Sequence, residues 1–184
     1  MKRKAPMITR NAVYTIGHST HPIAEFTAIL QNVGVDFVVD VRTIPRSRTN
    51  PQFNFDTLPQ SLRKAKIGYT HIAELGGLRA RQKQVHESPN TFWENKSFRN
   101  YADYALTDDF RKGLDELEAL AAKQVCALMC AEAVWWRCHR RIIADYLLME
   151  GYPVMHIMGI DRIEPARMTE AAMQAGERML RYEA

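Results

Sequence analysis

The chain has 184 residues, a formal charge of +4 and 46% hydrophobic residues, enough for one domain with its own core and too little to expect two. Every apolar run is far shorter than the ~20 residues of a membrane span, and three cysteines, an odd number, argue against a disulfide framework and for reduced thiols. The positive charge favours anionic partners in general, without choosing between nucleic acid and a small anion.

Residues 1–12 read as a basic N-terminal leader. No apolar segment follows them, so they do not form a secretory signal, and a cytoplasmic location is expected. Val13 to Ile16 is a short β-type run ending in Gly17-His18-Ser19. Thr20 or His21 can cap a following helix that has Pro22 in its first turn, a buried face of Ile23, Phe26, Ile29, Leu30 and Val33, and Gly34 just past its end. Phe37 to Val41 reads as a strand covered on both faces, because its apolar run is broken only by Asp40. A carboxylate there must be paired or hydrogen-bonded.

The loop 42–54 is turn-rich and cationic, with Arg42, Arg46, Ser47 and Arg48. A helix is predicted over 55–66, capped by Asp56 and ended by Gly68, then a strand at Tyr69, Thr70, His71 and Ile72. Residues 78–100 are polar and basic and predict a long irregular excursion of the kind that forms lids. Helical spacing returns at Phe98, Tyr101, Ala102 and Ala105, and again from Asp108 or Asp109 to Ala122. Val125 to Met129 is an apolar run of strand length, and after Glu132 the pattern turns helical, with Arg141 and Asp145 expected as a solvated pair on the outer face. Pro153 to Met158 predicts a further strand, with His156 near its end, and Pro165 to Leu180 a helix with Met168, Ala172, Ala175 and Met179 in one stripe.

Strands separated by helices predict an α/β fold: a single domain with a mainly parallel sheet of about five strands and helices on both faces. Residues 13–159 form that domain, and 160–184 a helical extension packed on it. His18 and Ser19, Asp40 and Arg42, Glu74, Cys130 and Glu132, and His156 fall at or just past the carboxyl ends of five strands. In a parallel sheet those ends share one edge, where ligands bind.

The ordered motifs TIGHS (Thr15 to Ser19), DVR (Asp40 to Arg42), Pro45 with Ser47, Tyr69-x-His71, LGG (Leu75 to Gly77), FRNYADY (Phe98 to Tyr104) and MCAE followed by CHR (Cys138 to Arg140) resemble the family called domain of unknown function 488, over about residues 13–159. The resemblance implies a family and no activity.

The stretch 125–140 carries the chemistry. Cys130, at a strand end and next to an expected helix N-terminus, is either a thiolate nucleophile activated by the helix dipole or a small packed residue. Cys126 belongs to the core. Cys138, His139 and Arg140 face inward and offer a base and an anion clamp, or with Cys130 a metal site. Zinc would accept these ligand types, but Cys-x7-Cys-His matches no familiar spacing, so no metal is assigned. His139 reads equally as a packed core histidine. A cysteine followed by an arginine suggests phosphate-binding loops, but Arg137 stands one residue too far from Cys130 for that pattern.

The first reading is therefore an enzyme with a polar, electropositive cleft that acts on a small anionic substrate, phosphorylated or not, as a cysteine-dependent hydrolase or transferase. Cys130 would be the nucleophile, His18 or His139 the acid or base, and Asp40 and Glu132 the orienting carboxylates. Ser19, Arg42, Arg46, Ser47, Tyr69, His71, Cys138 and Arg140 would contact substrate. The second reading is a non-catalytic nucleic-acid or nucleotide-binding module using the same arginines with Trp93, Trp135 and Trp136. Cofactor and oligomeric state stay open.

Overall fold

A computed structural model describes residues 10–184; most of the expected leader, residues 1–9, lies outside them. Five strands run parallel: β1 (Val13–Gly17), β2 (Phe37–Asp40), β3 (Gly68–His71), β4 (Cys126–Cys130) and β5 (Val154–Gly159). With the antiparallel β6 (Arg162–Pro165) they form a six-stranded sheet in the order β3-β2-β4-β1-β5-β6. The chain is thus a single α/β domain whose main sheet has one strand more than expected. No helix among the described residues is long and apolar enough to cross a membrane.

The period-2 alternation of β4 decides what lies on each face. Cys126, Leu128 and Cys130 join the core under α3 (Lys96–Tyr104), α4 (Asp108–Ala121) and α5 (Arg140–Met149). Ala127 and Met129 join the opposite core under α1 (Ile23–Asn32) and α2 (Leu58–Lys64). All five residues of β4 are buried, as a central strand between two helical layers requires.

Neighbours β1 and β4 send their next helices to opposite faces, α1 to one and α5 to the other. Their outgoing loops therefore diverge, and a crevice opens at the carboxyl ends. Just beyond the strands the loops stay tied, with the His18 amide donating to the Cys130 carbonyl at 2.8 Å and the Ser19 amide to the Ala131 carbonyl at 3.1 Å.

Several sequence expectations need correction. Pro22 itself occupies the cap position of α1, with no side-chain cap. The second helix is shorter than 55–66 and has Thr57 at its cap; Asp56 instead faces Arg46 at 3.4 Å. The helix expected after Glu132 starts only at Arg140, behind a loop and a short turn at Trp135–Arg137. Arg141 and Asp145 are not a solvated pair. Asp145 is buried and accepts from the Thr169 amide at 2.9 Å and the Tyr182 hydroxyl at 3.0 Å, while Arg141 donates to Thr169 Oγ1.

The largest departure is the tail. Instead of a helix over 165–180, it forms β6 and a hairpin of β7 (Ala172–Gly176) and β8 (Met179–Tyr182). Ala, Met, Glu and Gln favour a helix locally, but tertiary contacts override them. Leu180 and Tyr182 are buried in the core, and the Tyr182 amide donates to Asn90 Oδ1 at 3.0 Å. Arg178, at φ +57 in the hairpin turn, donates to Glu150, Asp115 and Glu118 at 2.6, 2.8 and 2.8 Å.

Candidate active site

The carboxyl ends of β1, β2 and β4 open into a pocket of about 390 Å³ whose lining includes His18, Arg42, Arg46, Ser47, Cys130, Glu132, Cys138 and His139. Eight of the residues picked out from sequence thus meet in one place. Cys130 and Arg42 share a wall, so three of the five strand ends expected to converge do so, while Glu74 and His156 do not line the pocket. The pocket is less polar than expected, because Ile44, Leu78, Phe98 and Tyr101 also line it.

The other five residues stand behind the wall. Asp40 is fully buried and accepts from Arg42 twice, Nε at 2.9 Å and Nη2 at 2.6 Å, and from the Tyr69 hydroxyl at 2.8 Å. Burial, the Asp40 charge and this hydrogen bond together push the Tyr69 hydroxyl well above its usual range. His71 holds the Arg42 carbonyl at 2.7 Å. Ser19 has φ +44, and its carbonyl accepts from His18 Nδ1 at 2.9 Å. Arg140 is 1% exposed and donates from Nε to Cys138 Sγ at 3.2 Å and from Nη2 to the Glu132 carbonyl.

Both arginines expected to bind substrate spend most or part of their donors on the protein. Arg42 also donates to His18 Nε2 at 3.2 Å and the Phe53 carbonyl at 2.7 Å, so four of its five N–H groups are taken. Arg140 uses Nε and Nη2 in the same way. The arginines of the pocket that reach solvent are Arg46 and Arg137; Arg137 had no binding role assigned.

His18 stacks on Phe53 with ring centroids 4.3 Å apart. Burial, helped by the Arg42 charge, lowers its pKa from the usual 6.5 to about 4. It is therefore a neutral imidazole that donates from Nδ1 and accepts at Nε2, and it is not a proton carrier near neutral pH.

The two cysteines differ in setting. Cys130 ends a strand, but the helix it was expected to precede directly begins ten residues later. Its thiol is pushed up by its hydrogen bond to Cys138 and by burial. Cys138 immediately precedes the His139 cap of α5. Burial pushes its thiol up, but the hydrogen bond from Cys130 and the charges of His139 and Arg140 outweigh this and hold it well below the ordinary range. The two thiols are thus driven in opposite directions, Cys138 down and Cys130 up.

His139 Nδ1 lies 3.6 Å from Cys138 Sγ, while Nε2 donates to the Val41 carbonyl at 2.9 Å. That carbonyl fixes the ring, leaving Nδ1 to serve the sulfur. Gly77, from the LGG motif, makes room for it: a Cβ there would overlap the imidazole. Gly17 does the same for the backbone at Glu132. Tyr101 packs its ring edge-on to His139 at 4.9 Å. Gly77, Phe98 and Tyr101 stood in motifs visible in the sequence, but only the fold shows that they build this wall.

The ligand atoms of Cys130, Cys138 and His139 all lie within 4.8 Å of one another. Among the described residues, these three could hold a soft cation. Their spacing, seven residues and then none between ligands, lies outside the usual patterns for zinc.

A family model described as Domain of unknown function DUF488 matches residues 22–147. The chain belongs to this family. The match spans well over half of the sequence and includes both cysteines of the pocket. No curated protein and no solved structure matched the chain. The DUF488 assignment therefore agrees with the motif resemblance and leaves the chemistry to be argued from the site.

Proposed function

We propose that this DUF488 chain is an enzyme, a cysteine-dependent hydrolase or transferase acting on a small anionic substrate, and that its nucleophile is Cys138 instead of Cys130. The observation carrying this reading is the setting of Cys138 Sγ: Arg140 Nε at 3.2 Å, His139 Nδ1 at 3.6 Å and the Cys130 thiol all serve it at the wall of an open pocket. A thiolate made persistent by fixed donors is the form that attacks electrophiles.

In this mechanism the thiolate attacks the electrophilic centre of the substrate and forms a covalent thio-intermediate. His139 passes a proton to the leaving group and then takes one from the incoming water or acceptor, whose attack releases Cys138. Arg137 and Arg46 draw a phosphate or carboxylate to the mouth, while Ile44, Leu78 and Phe98 hold the apolar remainder. The three free cysteines suit a reducing, cytoplasmic setting.

A nucleic-acid-binding module is less well supported. Trp93 is buried and Trp135 stacks on His156 at 4.4 Å, leaving Trp136, 43% exposed, to stack on a base.

The test is alkylation by iodoacetamide across pH, with each cysteine followed by peptide mass spectrometry. Cys138 should react first, with a midpoint well below the ~8.5 of a free thiol. A midpoint at or above that value overturns the proposal. So does a native mass raised by one zinc ion, which would make Cys138 a ligand.

A further inference from the structure

The mechanism above uses one thiol, yet the pocket wall holds two. The sulfurs of Cys130 and Cys138 lie within 4.8 Å of one another, while Cys126 sits in the core at the opposite end of β4. One sulfur sits at the rigid end of β4. The other lies eight residues on, behind a loop in which Ala131, Glu132 and Ala133 are exposed. A disulfide would need the two sulfurs to close from within 4.8 Å to ~2.05 Å.

We propose that Cys138 and Cys130 form a redox couple that reduces hydroperoxides, with Cys138 as the attacked thiol and Cys130 as the resolving one. This rests on the reading of Cys138 as the pocket's thiolate. The Cys138 thiolate attacks the terminal peroxide oxygen; an S–O bond forms, the O–O bond breaks, and the sulfur is oxidised to a sulfenic acid. The departing hydroxide or alkoxide takes the thiol proton of Cys130 and leaves as water or alcohol. The thiolate so created on Cys130 attacks the sulfenic sulfur; the S–S bond forms, the S–O bond breaks, and hydroxide is released and protonated by solvent. Two equivalents of a low-molecular-weight thiol, or one of a dithiol, return the pair to its starting state by exchange and are themselves oxidised to a disulfide.

The geometry favours this sequence over a lone oxidised cysteine. The resolving thiol already lies within 4.8 Å of its target, close to the leaving group it must protonate. Arg140 Nε, 3.2 Å from Cys138 Sγ, neutralises charge as the peroxide is attacked. The pocket gives a peroxide access to sulfurs that are 3% and 8% exposed.

The test treats the reduced full-length protein with one equivalent of hydrogen peroxide, blocks remaining thiols with N-ethylmaleimide and maps the cysteines by mass spectrometry. A Cys130–Cys138 disulfide with Cys126 blocked is expected, formed faster than a free thiol reacts at the same pH and reversed by dithiothreitol. In Cys130→Ser, checked for its fold by circular dichroism, dimedone should trap a sulfenic acid on Cys138. Wild-type protein that forms no such disulfide, or forms it no faster than a free thiol is oxidised, overturns the couple even if the variant does not fold. If Cys138 still alkylates with a low midpoint while the disulfide fails, only the redox proposal falls. If alkylation is also that of an ordinary thiol, the proposed nucleophile falls with it.

Discussion

Asp40 holds Arg42 through a bidentate pair at 2.9 and 2.6 Å, with the two residues 0% and 5% exposed. This makes Arg42 part of the pocket wall, with its charge spent inside the protein. Removing one partner of a buried pair leaves the other uncompensated. Asp40→Asn is therefore expected to cost about 3–5 kcal/mol, seen in urea unfolding as a lower midpoint with little change in slope. A variant as stable as wild type would show that Arg42 is not anchored in this way.

Anion preference at the mouth should instead depend on Arg137. Iodoacetate and iodoacetamide deliver the same carbon to Cys138, one with a negative charge and one without. Arg137→Glu is expected to slow the charged reagent several-fold relative to the neutral one, and added salt should compress the difference, because exposed charges are screened. An unchanged ratio of the two rates would remove Arg137 from substrate recognition.

Gly77 is required by the imidazole that faces it. In Gly77→Ala the new Cβ overlaps His139, whose ring cannot back away without losing the Val41 carbonyl at 2.9 Å. The expected result is a folded protein whose Cys138 alkylates several-fold more slowly at neutral pH, with the midpoint displaced upward. Unaltered Cys138 kinetics in this variant would mean that His139 does not tune the thiol.

Stability should fall in mild acid. Burial above all lowers both His18 and His156 from 6.5 to about 4. Between those values the unfolded chain binds protons that the folded chain refuses, so stability is full above about 6.5 and declines as pH falls toward about 4. Each histidine contributes ~1.4 kcal/mol per pH unit inside that window and no further loss below it. Asp145 and Glu118, held above the usual carboxylate range mainly by burial, act in the opposite sense at the acid end. Urea unfolding of His156→Gln across the window should therefore show a shallower slope than wild type. Parallel slopes would mean that His156 is not held neutral.

The sheet and the position of the pocket were legible in the sequence because both follow from local patterns. Apolar runs at Phe37 to Val41 and Val125 to Met129 mark strands buried on both faces, and polar residues at strand ends mark the rim to which parallel strands bring them. The tail misled for the same reason. Its Ala- and Met-rich stretch has helical propensity, and nothing local shows that Asn90, Asp145 and the acids around Arg178 will hold it as a hairpin.

The choice between Cys130 and Cys138 was of this second kind. By itself the sequence determined that this is an α/β chain and that thiol, imidazole and guanidinium groups gather at one edge of its sheet. Only the tertiary structure decided the setting of each: which arginines pair with buried partners, which histidines are desolvated, and which cysteine lies beside Arg140 and His139. Side-chain roles of this kind depend on desolvation and on contacts between residues far apart in the chain, and both exist only once the layers have packed.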